Sequence, residues 1–171
     1  LVTCKQGVEI PESITWNGAM NNGETAPDGK YFYYISAIDD NGNEGKTKEY
    51  EVIVDTIAPD VTLVQPADKI FGEGSKSAFK IRQEGSLEDE WVGTFKSADG
   101  YVVKTVKWQN AEPAEFNSHG TDDEEAQLPD GVYSYEITAT DRAGNQAPQT
   151  NITNIIYSAE KPATSIYVDG S

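Results

Sequence analysis

The stretch PDGKYFYYISAIDDNGNEG, starting at Pro27, returns as PDGVYSYEITATDRAGNQA, starting at Pro129, 102 residues later. At that offset Asp28, Gly29, Tyr31, Tyr33, Ile35, Ala37, Asp39, Gly42 and Asn43 fall on Asp130, Gly131, Tyr133, Tyr135, Ile137, Ala139, Asp141, Gly144 and Asn145. The match runs backwards without a gap through Gly18/Gly120, Pro11/Pro113, Lys5/Lys107 and Thr3/Thr105. A fixed internal period is the mark of a modular array. Past Val54 and past Ile156 the chain reads TIAPDVTLVQP and AEKPATSIYV, two entries into a following module. The expected organisation is therefore the C-terminal half of a first module (1–57), a complete module (58–159), and the start of a third module or a tail (160–171).

Within each copy the apolar period is two. Tyr133, Tyr135, Ile137 and Ala139 share one face of a strand, while Ser134, Glu136, Thr138 and Thr140 share the other, the pattern of a half-buried strand. Turn residues bracket it, Pro129-Asp130-Gly131 before and Arg142-Ala143-Gly144-Asn145 after. Asn41-Gly42 closes the corresponding hairpin of the first copy. Further strands are expected at Val61–Val64, Ser77–Gln83, Trp91–Lys96, Tyr101–Trp108, Ala114–Asn117 and Gln146–Tyr157, with a hairpin turn at Ala98-Asp99-Gly100. No stretch carries a helical period. Some seven short strands in a module of about 100 residues predict an all-β fold of tandem immunoglobulin-like (fibronectin type III-like) β-sandwich modules. Tyr31 and Tyr133 take the tyrosine-corner position of such a sandwich.

The run ITWNG…PDGKYFYYISAIDDNGNEG resembles the Ig-like domain of the flagellar hook-capping (FlgD-like) family. That pattern is a Trp-Asp-Gly-type motif, a polar loop, Pro-Asp-Gly-x-Tyr-x-Tyr, and a closing Ala-x-Asp-x-x-Gly-Asn. It is also similar to the fibronectin-like stalk domains of bacterial cell-envelope proteinases, often joined through a segment like VDTIAP. The resemblance covers most of 1–57 and 103–159. Trp16-Asn17-Gly18 fits it, whereas Ser118-His119-Gly120 replaces the tryptophan motif in the second copy. The resemblance implies an Ig-like fold in an exported bacterial protein, and one such fold hosts many functions.

Charge narrows the partners. A net charge of −16 argues against nucleic acid and against anionic membrane surfaces. A single cysteine, Cys4, permits no internal disulfide, so packing must hold the fold. No apolar run reaches the ~18 residues of a membrane helix. LVTC resembles the end of a lipoprotein signal, but the repeat places it on the strand equivalent to VKTV, the preferred reading.

Three places invite a site. Asp39–Glu44 suggests calcium, but an EF-hand counted from Asp39 would put Glu44 and Tyr50 where glycine and an acidic ligand belong. A hairpin turn is the better reading. Calcium bound between modules by Asp55, Asp60 and loop acids is the remaining metal alternative. His119 beside Asp122, Asp123, Glu124 and Glu125 could bind metal or move protons. The first copy fills those places with Asn17, Met20, Asn21, Asn22 and Gly23, so the loop reads as solvated acid. Asn151-Ile152-Thr153 is a formal glycosylation sequon. Phe32, Tyr34 and Ile38 put an apolar surface where the second copy has Val132, Ser134 and Thr140, which points to a neighbour, a ligand, or packing under a loop.

The expectation is a non-catalytic Ig-like segment of an exported bacterial protein, extracellular, at the cell surface or periplasmic. It would serve as a spacer or protein-interaction module, with no catalytic residue, metal or cofactor. Its partners would be proteins or neighbouring modules, with a surface glycan or protein ligand of unspecified identity. The competing readings are the accessory stalk of a surface enzyme such as a protease, and a hook-capping-type scaffold subunit. Ile57-Ala58-Pro59 predicts modules set end to end, because Pro59 fixes its own φ and drives Ala58 extended. Residues 1–57 lack any counterpart of 58–102, so a preceding segment of about 45 residues, or a partner chain, is expected to complete the first sandwich.

Overall fold

In the computed structural model the structure describes residue 7 and residues 12–160. Cys4 and the expected strand around it lie outside the described residues, as does all but residue 160 of the expected third module. The chain divides into two compact units, Leu1–Ile57 and Ala58–Ser171. Among the described residues the protein is all-β, relieved by one 3-10 turn at Gly74–Lys76.

Unit 1 contains β1 (Gly29–Tyr33), β2 (Ser36–Ile38), β3 (Glu44–Lys46) and β4 (Tyr50–Val54). β1 pairs antiparallel with β4, Tyr31 opposite Val52 and Tyr33 opposite Tyr50. β2 and β3 form the hairpin closed at Asn41-Gly42.

Unit 2 contains β5 (Val61–Leu63), β6 (Ile70–Gly72), β7 (Phe79–Ile81), β8 (Gln83–Gly85), β9 (Glu88–Ser97), β10 (Val102–Ala111), β11 (Phe116–Ser118), β12 (Gly131–Ala139) and β13 (Thr150–Ser158). Five of these make one sheet in the order β10-β9-β12-β13-β6, while β11-β7 and β5-β8 form two short ladders. Aromatic contacts join the layers into a sandwich. Phe116 on β11 lies 4.4 Å from Tyr135 on β12 and 5.8 Å from Phe95 on β9, ring centre to ring centre. The alternation read from the sequence is what fills this core: Tyr133, Tyr135, Ile137 and Ala139 are all buried, as are Trp91 and Phe95 on the neighbouring strand. Each large apolar side chain so buried contributes about 1.5–3 kcal/mol.

Three details depart from the expected strands. Ser77–Gln83 is two strands, β7 and β8, rather than one. Ile70–Gly72, not foreseen, adds parallel to β13 at the sheet edge. The gapless repeat also conceals a bulge on β13, where the register shifts between Tyr133↔Ile155 and Tyr135↔Ile152. Asn154 sits there at φ 59°, a left-handed conformation asparagine tolerates. Unit 1 pairs β1 with β4 without such a shift.

Candidate interaction surface

The residues shared by the two copies build the same local devices twice. The Tyr31 hydroxyl donates to the Pro27 carbonyl at 2.7 Å, and the Tyr133 hydroxyl donates to that of Pro129 at 2.7 Å. Both tyrosine corners are therefore made. Asp28 accepts from the Thr56 amide and hydroxyl, and Asp130 accepts from the Ala159 amide and the Ser158 hydroxyl, tying each loop to the end of its last strand. In the hairpin turns Asp39 accepts the Asn43 amide and side-chain amide at 2.8 and 2.8 Å, and Asp141 takes the same bonds from Asn145 at 2.9 and 2.8 Å. The side-chain amides of Asn43 and Asn145, foremost, hold the Asp39 and Asp141 carboxyls below their ordinary range. The Ala159 amide and then the Ser158 hydroxyl do the same to Asp130. Burial raises the Tyr133 phenol, with smaller contributions from Tyr157 and Asp130.

The acidic loop is likewise committed to backbone. Asp122 accepts the amides of Glu124 and Ala126 at 2.9 Å each, and Asp123 accepts the Thr105 amide at 3.0 and 3.1 Å. His119 is exposed at the edge of this loop. Asp55 accepts the Ile57 amide within unit 1, and the Asp60 amide is bonded to Ser86 within unit 2. Asn151 of the sequon is exposed on β13 beside the buried Ile152. Among the described residues no three His, Cys, Asp or Glu side chains converge as a metal site, and no helix is long and apolar enough to cross a membrane.

What distinguishes the copies is cover. Tyr135, Ile137 and Ile152 are 0%, 0% and 1% exposed, whereas their equivalents Tyr33, Ile35 and Tyr50 are 54%, 55% and 42% exposed. Ala26 alone is buried among the described residues of unit 1. The rings of this unit cover one another instead: exposed Tyr33 stacks on Tyr50 at 5.4 Å, and half-buried Trp16 packs edge-on against Tyr31 at 5.6 Å. Trp16 holds the place of Ser118, which is fully buried in unit 2. The opposite face of the same hairpin is also apolar, with Phe32, Ile38 and Ile53 exposed. Beside it Tyr34, Ile38, Glu44 and Lys46 line a shallow cleft of about 390 Å³, with the Lys46 ammonium 3.7 Å above the Tyr34 ring. The sequence singled out Phe32, Tyr34 and Ile38 but not this cleft, which depends on Lys46 arriving from β3.

No family model matches the chain, and no curated protein matches it. Among solved structures it is similar to the crystal structure of dimeric latent PorU from Porphyromonas gingivalis, with a TM-score of 0.45 and 14% identity. The likeness covers 80% of this chain, which spans only 13% of that one.

Proposed function

We propose that this chain is a non-catalytic, tandem Ig-like segment of an exported bacterial protein, working as a spacer and protein-interaction module. The observation that carries this reading is the use made of the repeated polar residues. Tyr31/Tyr133, Asp28/Asp130, Asp39/Asp141 and Asn43/Asn145 each spend polar atoms on the backbone, on one another or on a strand-end hydroxyl. What the copies share is therefore scaffold, and what they do not share is surface, the combination a modular spacer with individual interaction faces requires. The acidic surface keeps neighbouring modules and chains apart by self-repulsion.

The test is a calorimetric titration of chelated, dialysed protein with calcium and with zinc, alongside melting curves. The reading expects no binding below about millimolar, since the loop carboxylates are already satisfied by backbone donors. A micromolar heat signal with a marked rise in melting temperature would overturn it.

A further inference from the structure

Unit 1 contains the pairs Asn17-Gly18, Asn22-Gly23 and Asn41-Gly42, whose places in unit 2 hold His119-Gly120, Glu124-Glu125 and Ala143-Gly144. Residues 58–171 contain no Asn-Gly pair. Such a pair can cyclise. The glycine amide nitrogen, unhindered by a neighbouring side chain, attacks the asparagine side-chain carbonyl, and negative charge develops on Oδ1. Two features of a fold therefore set the rate. One is whether the glycine N–H is free of a hydrogen bond that must first be broken. The other is whether a donor already faces Oδ1, in the manner of an oxyanion hole.

The three pairs differ in both. All three asparagines are exposed, so water reaches each of them. At Asn41 the Gly42 amide is held by the Asp39 carbonyl at 3.0 Å. At Asn22 the Glu24 amide donates to Oδ1 at 3.0 Å, but the Gly23 amide is held by the Met20 carbonyl at 3.0 Å. The Asn22 side-chain amide is further tied to Glu24 at 2.7 Å. At Asn17 the Ala19 amide donates to Oδ1 at 3.2 Å, and among the described residues no acceptor holds the Gly18 amide. The cause lies two residues away. The equivalent Gly120 amide donates to the Ser118 hydroxyl at 3.3 Å. Trp16 stands in place of Ser118, and its ring nitrogen is a donor only, bonded to the Ala19 carbonyl at 2.7 Å.

We infer that Asn17 is a self-modification site, deamidating through a cyclic imide faster than Asn22 or Asn41. The Gly18 nitrogen forms a bond to Asn17 Cγ and gives its proton to solvent base. The Cγ–Nδ2 bond breaks, and Nδ2 takes a proton from water and leaves as ammonia. Water then opens the ring on one side or the other. Opening at Cγ gives an aspartate, which adds a negative charge and keeps an acceptor for the Ala19 amide. Opening at the backbone carbonyl gives isoaspartate, which puts an extra carbon into the main chain between Trp16 and Ala19 and breaks their hydrogen bond. The change goes beyond a spacer role, because it alters charge and shape around Trp16 in one copy of the repeat and has no counterpart in the other.

The full chain, held in mildly alkaline buffer, tests this, with conversion at each asparagine followed over time by tandem mass spectrometry of its peptides. In the native chain Asn17 should convert roughly fivefold or more faster than Asn22, which must first release the Gly23 amide, and Asn41 should be the slowest. In guanidinium chloride the three rates should converge, since the hydrogen bonds that separate them are gone. Trp16→Ser supplies the hydroxyl that Ser118 supplies in unit 2, and should slow Asn17 to about the rate of Asn22 while leaving the other two unchanged. A native rate at Asn17 no higher than that at Asn41 would overturn the inference. So would the same spread of rates in denaturant, which would trace the order to sequence neighbours rather than to the fold.

Discussion

Tyr33 and Tyr135 occupy one position in two copies of the same hairpin, and among the described residues only the second has a sheet above it. The devices that depend on a few neighbouring residues are indifferent to this. Corner, loop tie and aspartate turn form in both copies with nearly equal distances. Strand length, register and burial are not indifferent. The covered copy has a nine-residue strand and a bulge that turns Ile155 and Tyr157 inward. The uncovered copy has two short strands and an unshifted ladder in which Val52 and Val54 share the face of Tyr31. Turn chemistry is local, whereas a β-strand is completed by its neighbours.

The largest contrast should come from truncating the paired tyrosines. Tyr135→Ala removes a fully buried ring and leaves the Gln83 side-chain oxygen without its donor, and should cost about 3–5 kcal/mol in denaturant unfolding of unit 2. Tyr33→Ala should cost under about 1 kcal/mol, as at other half-exposed positions. Equal losses would mean that the face of Tyr33 is covered after all.

A smaller contrast concerns the paired glycines. Gly18 and Gly120 both adopt left-handed φ, +82° and +76°, but only at Gly120 would a Cβ collide, 2.3 Å from the Tyr157 ring. Gly18→Ala should cost the conformational strain alone, about 1–2 kcal/mol. Gly120→Ala should add a further ~1–3 kcal/mol of overpacking. Melting curves of the two variants check the difference.

Acid should blur the copies rather than separate them. Asp39 and Asp141 have folded-state pKa values lowered from 3.8 by the same asparagine contacts. Their contribution is therefore present above the unfolded value and is lost as pH falls through the lowered one. Asp39→Asn and Asp141→Asn should each flatten the loss of stability below about pH 4, by a small amount because Asp39 is exposed and Asp141 only partly buried. A response confined to Asp141 would show that the turn of unit 1 is not formed in solution.

Much of this was legible in the residues. Tyr31 and Tyr133 stand near the start of the penultimate strand, the tyrosine-corner position, and both hydrogen bonds are there. The alternation of 133–139 named its own buried face. Ile70–Gly72 escaped because three residues carry no period, and its pairing with β13 is parallel and remote in sequence. The bulge escaped because Asn154 aligns with Val52 without a gap, so the extra residue shows only in the pairing. The acids around His119 read in the sequence as a solvated loop; in space Asp122 and Asp123 are acceptors for backbone amides.

Amide hydrogen exchange on the intact chain tests the central claim, that the two copies share local structure but differ in cover. The amides of Tyr133–Ala139 should exchange only on global unfolding of unit 2, while those of Tyr31–Ile38 should exchange faster by about 100-fold or more, through local opening. Protection of both segments to the same degree would contradict the account.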